Sequence, residues 1–381
     1  MTDPFAAIRP YNDDEVRPTI DRLLESRDLL DALLRLRLGE RASTFGGLLR
    51  PLLRGYLRRQ LKDAMSVQDL QMKVKYYIER MIDDTTDGFD VSGIESLEAS
   101  KAHLFVSNHR DIAMDPAFTN YALHRAGHDT LRIAIGDNLL TERWVSDLMR
   151  LNKSFIVQRS VSGPRELLAA SKLLAQYIRH SVQHDNVPVW IAQREGRAKD
   201  GIDRTEPAVI KMLSLSRNKS QESFGEHIAA LRIVPVTISY ELDPCDALKA
   251  RELQERDETG SYEKSDQEDV TSIGLGISGQ KGRVHVAFGT TLGSDLDSPD
   301  AVANAVDAQI LRGYRLHPVN VWAYQRLHGE ADLQGLEVHE GSITESEFTA
   351  RIDALHERVR PYALASYANA LRSAMELARP S

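Results

Sequence analysis

Between residues 93 and 289, short apolar strands alternate with helical segments, and this constrains the fold more than any other feature. The candidate strands, rich in β-branched and aromatic residues, are 102–106, 131–135, 154–157, 187–192, 232–239 and 283–288. The candidate helices are 116–126, 164–184, 206–217, 224–231 and 246–257. Such alternation is typical of a sheet whose strands run largely parallel. We therefore expect an α/β fold with a mixed, largely parallel sheet covered by helices.

The segments that flank this region have helical periodicity. Apolar side chains recur at helical spacing in residues 13–38, 41–62 and 67–81, before a polar break at 83–88. Further helices are expected over 299–313, 318–327 and 345–377. We therefore expect helical N- and C-terminal extensions. The expected parts are a helical N-terminal region over 1–90, an α/β domain over 91–290 and a helical C-terminal region over 291–381.

Composition narrows the class of function and the compartment. The formal net charge of −8 argues against a general nucleic-acid binder. The single cysteine, Cys245, offers no disulfide framework and no cysteine-rich metal site, which suits a reducing cytosolic compartment. No run approaches the ~18 consecutive apolar residues that a transmembrane helix needs. We therefore expect a cytoplasmic protein whose contact with a membrane is peripheral.

Residues 41–62 form a basic amphipathic stretch within this acidic protein. The stretch has no acidic residue, and its basic side chains are Arg41, Arg50, Arg54, Arg58, Arg59 and Lys62. Apolar side chains fall on the opposite side of a helical wheel, a pattern typical of a helix that lies on anionic lipid. The alternative is a helix whose apolar face packs on the main domain. Pro51 either kinks this helix or marks its true start.

A histidine and a carboxylate follow the apolar strand 102–106. His109 lies where the strand leaves the sheet, and Asp115-Pro116 is typical of a helix start. Ligands of open α/β sheets bind at the carboxyl ends of the strands. An imidazole, with an ordinary pKa near 6.5, can take a proton from a hydroxyl, and a carboxylate can hold its tautomer. The alternative is a surface histidine beside an ordinary helix cap.

Basic side chains follow two further strands and are suited to binding an anionic group. Guanidinium forks match phosphate and carboxylate geometry, whereas an isolated arginine is more often a solvated surface charge. Glu195 either binds substrate or pairs with a neighbouring arginine to hold the turn. The basic residues in question are Arg159, Arg194, Arg197 and Lys199.

In order and content these segments resemble four sequence blocks of the glycerolipid acyltransferase family, which includes lysophosphatidic-acid and glycerol-3-phosphate acyltransferases. The family has an asparagine-histidine followed by an aspartate, then an apolar strand that ends in arginine. A glutamate-glycine with arginine and an apolar strand containing proline follow. Here the corresponding residues are Asn108-His109 with Asp115, Phe155 to Arg159, Glu195-Gly196-Arg197, and Val234-Pro235-Val236. The resemblance covers roughly residues 93 to 290.

Two spacings depart from the family pattern. The family usually has four residues between histidine and aspartate, and here five intervene, so Asp111 is a rival to Asp115 as the carboxylate partner. The family commonly has one residue between glycine and arginine, and here Arg197 follows the glycine directly. Lys199 or Arg194 is therefore an alternative phosphate ligand.

The resemblance implies an O-acyltransferase of phospholipid synthesis. It would move a fatty acyl group from acyl-coenzyme A or acyl-carrier protein to a hydroxyl of glycerol-3-phosphate or 1-acylglycerol-3-phosphate. His109, oriented by Asp115, would deprotonate that hydroxyl, and no metal or other cofactor is required because thiolate is a good leaving group. The residues that would bind the acceptor are Arg159, Glu195, Gly196 and Arg197. The alternative is a degenerate family member that binds phospholipid or a protein partner without catalysis.

Overall fold

The computed structural model describes residues 3–39, 41–140, 142–265 and 268–378, without the side chains of 36–37 and 41–45. Its strands are β1 (Gly88–Ser92), β2 (Leu104–Ser107), β3 (Arg132–Gly136), β4 (Ser154–Val157), β5 (Val189–Ala192), β6 (Ile233–Tyr240) and β7 (Arg283–Phe288). Its helices are α1 (Asp13–Glu25), α2 (Arg27–Leu38), α3 (Arg41–Gln60), α4 (Val67–Thr85), α5 (Met114–Arg125), α6 (Arg143–Leu151), α7 (Pro164–Gln183), α8 (Pro207–Leu213), α9 (Phe224–Ala230), α10 (Asp246–Thr259), α11 (Glu268–Ser278), α12 (Pro299–Gly313), α13 (Pro318–His328), α14 (Glu345–Asp353) and α15 (Arg360–Ala378).

The chain divides into two compact units. The first comprises Met1–Glu79 and Leu131–Tyr177, and the second comprises Arg80–Thr130 and Ile178–Ser381. The division into three regions that we expect from the sequence stays a prediction. Among the described residues, no helix combines the length and the apolar character needed to cross a membrane.

The first unit packs helices around a small apolar core and carries two strands. Strands β3 and β4 pair in parallel, and α1 and α2 bury leucines against α6. The sequence predicted one helix over 13–38, but the chain breaks at Ser26. Its hydroxyl accepts a hydrogen bond from the backbone N–H of Leu29 at 3.3 Å, because serine favours the N-cap position.

The second unit contains five strands in the order β1-β7-β6-β2-β5. All neighbours in this order run parallel except β6 and β7, which are antiparallel. Every residue of β6 is buried, and α12 packs against this strand. The mixed, largely parallel sheet with helical extensions is thereby confirmed. Strand β1 was not expected, because we took the residues up to 88 as a polar break.

Between β6 and β7 the chain forms α10, which matches the helix expected over 246–257, and α11, which the sequence did not indicate. After β7 it forms α12 to α15, and apolar side chains of α13, α14 and α15 build a separate core with Ala250 of α10 around Phe348 and Ala363. The single helix expected over 345–377 is wrong, since α14 ends at Asp353 and α15 begins at Arg360. Pro361 favours this new start because proline is tolerated in the first turn of a helix.

Candidate active site

His109 and Asp115 meet in the loop between β2 and α5. His109 Nδ1 lies 2.9 Å from Asp115 Oδ2. The carboxylate is fully buried, whereas the imidazole is 14% exposed. When Nδ1 carries the proton and donates to the carboxylate, Nε2 has a free lone pair that can accept a proton. The geometry therefore suits general base chemistry, and the catalytic roles of both residues stay a prediction.

Asp115 organises the whole loop through further hydrogen bonds. Its Oδ2 also accepts the backbone N–H groups of Arg110 at 2.6 Å and Asp111 at 2.9 Å. Its Oδ1 accepts the hydroxyl of Tyr240 at 2.7 Å. Because donors surround both oxygens, the carboxylate is fixed in position and can fix the ring of His109 in turn.

The side chain of Asp111, the alternative carboxylate partner, binds backbone groups at the start of α5. Its Oδ1 accepts the backbone N–H groups of Ala113 at 2.9 Å and Met114 at 2.8 Å, at the start of α5. The helix therefore begins at Met114, and Asp115 lies in its first turn instead of before it. Burial and the neighbouring charge of Asp115 raise the pKa of Asp111. Of the two carboxylates, Asp115 is the one hydrogen-bonded to His109.

Asn108 ties the loop to the neighbouring strand β6. Its amide oxygen accepts the N–H of Ile238 at 2.8 Å, and its amide nitrogen donates to the Ile238 carbonyl at 3.0 Å. The same nitrogen donates to Asp203 Oδ2 at 3.1 Å. An asparagine satisfies this arrangement because its side chain carries both an acceptor and a donor. The end of β2, and His109 with it, is therefore held in register.

Arg110 follows the histidine and is buried. Its Nη2 donates to Asp203 Oδ2 at 2.7 Å and to the Gly201 carbonyl at 3.1 Å, and its guanidinium lies 5.3 Å from the ring centre of Tyr314. Burial by itself would lower the pKa of Arg110, but the charge and hydrogen bond of Asp203 act together with Tyr314 and Asp243 to raise it. Arg110 is therefore a charged part of the scaffold.

The turn after β5, which carries the third block, adjoins the loop between β2 and α5. The backbone N–H of Ala198 donates to the carbonyl of His109 at 2.7 Å. Gly196 has φ +71°, in the left-handed region that favours glycine. Arg197 is buried and its Nη2 donates to Ser272 Oγ at 3.3 Å, while its Nη1 has no hydrogen-bond partner within the described parts of the chain.

The two alternative phosphate ligands have carboxylate neighbours of their own. Lys199 Nζ pairs with Glu252 of α10. Arg194 Nε is 4.0 Å from Glu206, a contact too long for a hydrogen bond. Arg194 Nε and Arg197 Nη1 are both buried N–H groups without a hydrogen-bond partner in the described residues, and the role of either arginine as an anion ligand stays a prediction.

Arg159 belongs to the first unit. Its backbone N–H donates to Asp137 Oδ1 at 3.1 Å. Its guanidinium lies over Gly136 at the end of β3, where an added Cβ would come within 3.3 Å of Cζ. The sequence placed Arg159 just beyond a strand, which is where it lies, and its contact with an acceptor stays a prediction.

The sequence did not indicate three residues that contact the loop between β2 and α5 or the side chains of its His109 and Asp115. The ring of Trp190 packs edge to face on His109 with centroids 5.8 Å apart. Lys249 of α10 donates to the carbonyl of Arg110 at 2.6 Å. The hydroxyl of Tyr240 donates to the Asp115 carboxylate. The one available signal was that Tyr240 ends the strand that carries the fourth block. Within the described residues no three His, Cys, Asp or Glu side chains are placed to hold a metal ion.

Comparison with known proteins gives a family assignment. Residues 88–239 match the model of a family described as Acyltransferase. No curated protein sequence matches the chain. Among solved structures, the 1-acyl-sn-glycerophosphate (LPA) acyltransferase of Thermotoga maritima is 14% identical, with a TM-score of 0.39, and the match covers 76% of this chain and 96% of that one. A likeness at this level carries no argument about activity. The family match includes His109, Asp115, Arg159 and the 195–197 turn, and the chain therefore carries a domain of the acyltransferase family.

Proposed function

We propose that this protein is an O-acyltransferase of phospholipid synthesis. It transfers a fatty acyl group from an acyl thioester to a hydroxyl of glycerol-3-phosphate or 1-acylglycerol-3-phosphate. The observation that carries the proposal is the 2.9 Å contact between His109 Nδ1 and Asp115 Oδ2 within the family domain. A buried carboxylate paired with a partly exposed imidazole is the arrangement that activates a hydroxyl nucleophile.

The proposed reaction uses one imidazole as base and then as acid. Nε2 of His109 takes the proton of the acceptor hydroxyl, and the hydroxyl oxygen forms a bond to the carbonyl carbon of the thioester. The tetrahedral species then collapses, the carbon–sulfur bond breaks, and the thiolate takes the proton from the imidazolium. The charge of Asp115 stabilises the imidazolium during these steps, because the two groups are in contact away from water.

In the proposed reaction the turn at 195–197 binds the phosphate of the acceptor. Arg197 has a buried N–H without a hydrogen-bond partner in the described residues, and its turn is hydrogen-bonded to the carbonyl of His109. An unpaired buried N–H is costly, and a phosphate oxygen would satisfy it. In this proposal Arg197 binds the phosphate, and Glu195 and Gly196 of the same turn complete the acceptor site, while the role expected of Arg159 stays a prediction.

The proposal is tested by identifying the product. Purified protein is incubated with acyl-coenzyme A and either acceptor, and the lipid fraction is analysed by mass spectrometry. An ester formed with one acceptor establishes the activity and names the acceptor. If neither ester forms, the same test is repeated with acyl-carrier protein as the donor. An ester formed then identifies acyl-carrier protein as the donor, and its absence favours a non-catalytic protein that binds phospholipid or a protein partner.

We also propose that the protein is cytoplasmic and that it lies on the membrane surface through α3 and α4. Leu48, Leu52 and Tyr56 recur every four residues on α3, and their side chains are 77, 69 and 53% exposed. On α4, Met72 and Tyr76 are exposed at the same spacing. An apolar stripe of this kind can enter the boundary between headgroups and acyl chains.

The basic side chains of α3 contribute less to this surface than the sequence suggested. Arg50 pairs with Asp31 at 2.6 Å, and Arg54 and Arg58 both face Glu25. Because acidic residues of α1 and α2 neutralise them, these arginines attract anionic lipid weakly. The proposed surface therefore binds mainly through its apolar stripe.

Vesicle sedimentation tests the membrane proposal. Leu52→Glu places a charge in the stripe and should reduce binding to vesicles of phosphatidylglycerol and phosphatidylcholine at least tenfold. Leu377→Glu, on the exposed side of α15, is the matched control and should bind as the unmodified protein does. Equal binding by both variants would contradict the proposal.

A further inference from the structure

Tyr240 is the last residue of β6 and the first residue after the family match. Its hydroxyl donates to Asp115 Oδ1 at 2.7 Å, on the carboxylate oxygen that His109 does not use. Its ring packs on Phe118 of α5 with centroids 5.9 Å apart, and its backbone pairs with Val284 of β7. The hydroxyl is thus aimed at Asp115 by contacts that do not involve the dyad.

We propose that Tyr240 is a positioning residue that sets the place and the charge distribution of the Asp115 carboxylate, and through it the basicity of His109. The inference rests on the proposed acyl transfer. Phe118 lies one helical turn after Asp115, so one tyrosine contacts both residues of that turn and fixes its distance from β6.

The surroundings of the hydroxyl keep it a hydrogen-bond donor. Burial and the charges of Asp115, Asp111 and Asp243 raise the pKa of Tyr240 well above its usual value. The hydroxyl therefore stays protonated across the pH range of an enzyme assay. Lys249 pairs with Asp243 and donates to the carbonyl of Arg110 in the same loop as Asp115. Tyr240 itself donates to the dyad carboxylate.

A hydrogen bond to one oxygen of the Asp115 carboxylate changes the charge on the other oxygen. A donor on Oδ1 draws negative charge away from Oδ2, which faces His109. Without this donor, Asp115 favours the imidazolium more strongly, and the neutral form of His109 that acts as base is reached only at higher pH. The hydroxyl also resists rotation of the carboxylate, since it holds the oxygen opposite the imidazole.

The experiment compares Tyr240→Phe with the unmodified protein in the acyl transfer assay across pH. The variant keeps the ring and removes only the hydroxyl. We expect kcat to fall roughly tenfold with KM for both substrates unchanged, which is about 1.4 kcal/mol of transition-state stabilisation. We expect the acid limb of kcat/KM to move about half a pH unit upward. Replacing Tyr240 by 3-fluorotyrosine, a stronger donor of nearly equal size, should move this limb downward.

Tyr11→Phe is the matched control. The hydroxyl of Tyr11 donates to Asp147 at 2.6 Å in the first unit, so the variant also removes a tyrosine-to-aspartate hydrogen bond. It should cost stability and leave the pH profile in place. An unmoved acid limb in Tyr240→Phe, with kcat falling only in step with the folded fraction, overturns the inference. Absence of transfer by the unmodified protein instead counts against the proposed function.

Discussion

Replacing Asp115 by asparagine separates the charge of this residue from its hydrogen bonds. An amide oxygen in the place of Oδ2 can still accept from His109, Arg110 and Asp111, which now lie 2.6 to 2.9 Å away. The amide nitrogen then faces Tyr240, whose oxygen can accept. The variant therefore keeps its hydrogen-bond partners, and we expect its free energy of unfolding to fall by less than about 1 kcal/mol.

Activity should respond very differently, because the imidazolium loses its counter-charge. Two unit charges about 4 Å apart interact by about 4 kcal/mol at an effective dielectric constant of about 20. This corresponds to a loss of about 10³-fold in kcat/KM. The assay is the initial rate of thiol release, and stability is measured by urea unfolding. Asp31→Asn, which removes a partly exposed charge beside Arg50, is the control and should leave activity unchanged.

Asp115→Ala completes this series. It leaves two loop N–H groups and the Tyr240 hydroxyl without their acceptor, each at a cost of about 1 to 3 kcal/mol in a buried site. We expect it to be clearly less stable than Asp115→Asn. The reasoning is refuted if asparagine retains activity within tenfold of the unmodified protein, or if it destabilises the fold as much as alanine does.

Two further predictions concern the surroundings of the loop. Gly276→Ala places a Cβ on the Asp111 carboxylate and should lower the free energy of unfolding by about 1 to 3 kcal/mol and reduce activity. Gly55→Ala, which has open space around it, is the control and should lower neither. Urea unfolding and the rate of thiol release measure the two effects, and equal effects of both variants would contradict the contact. Arg197→Ala should raise KM for the phosphorylated acceptor at least tenfold in steady-state kinetics, and Lys199→Ala should raise it far less; the reverse order would assign the phosphate to the lysine.

Much of the sheet could be predicted because its strands are short apolar runs between helices. All six strands expected from the sequence are present within a residue or two of their expected bounds. Strand β1 could not be predicted in this way. Its residues Gly88–Ser92 include Asp90 and are only half-buried or exposed, so they form no apolar run.

The pair of His109 and Asp115 could be predicted because both residues lie in one short loop. Its supports could not, because they come from distant parts of the chain. Tyr240 and Lys249 reach the loop from β6 and α10, and α11 approaches it through Gly276. Single-sequence periodicity carries no information about such contacts.

In the N-terminal helices, ion pairs between helices could not be predicted from the sequence. The basic residues of α3 were visible in the sequence, but their acidic partners lie in α1 and α2, 19 to 33 positions earlier. Pairing across helices therefore offsets part of the positive charge of this face, and the leucine and tyrosine stripe stays exposed.

The central claim is that His109 is the base that activates the acceptor. The most direct test is the acceptor-dependent rate of thiol release from acyl-coenzyme A or acyl-carrier protein by the unmodified protein, His109→Ala and His109→Gln, all checked for folding by circular dichroism. The account predicts release with the unmodified protein and a loss of at least 10³-fold in both folded variants. Acceptor-dependent release that persists in either variant would contradict it.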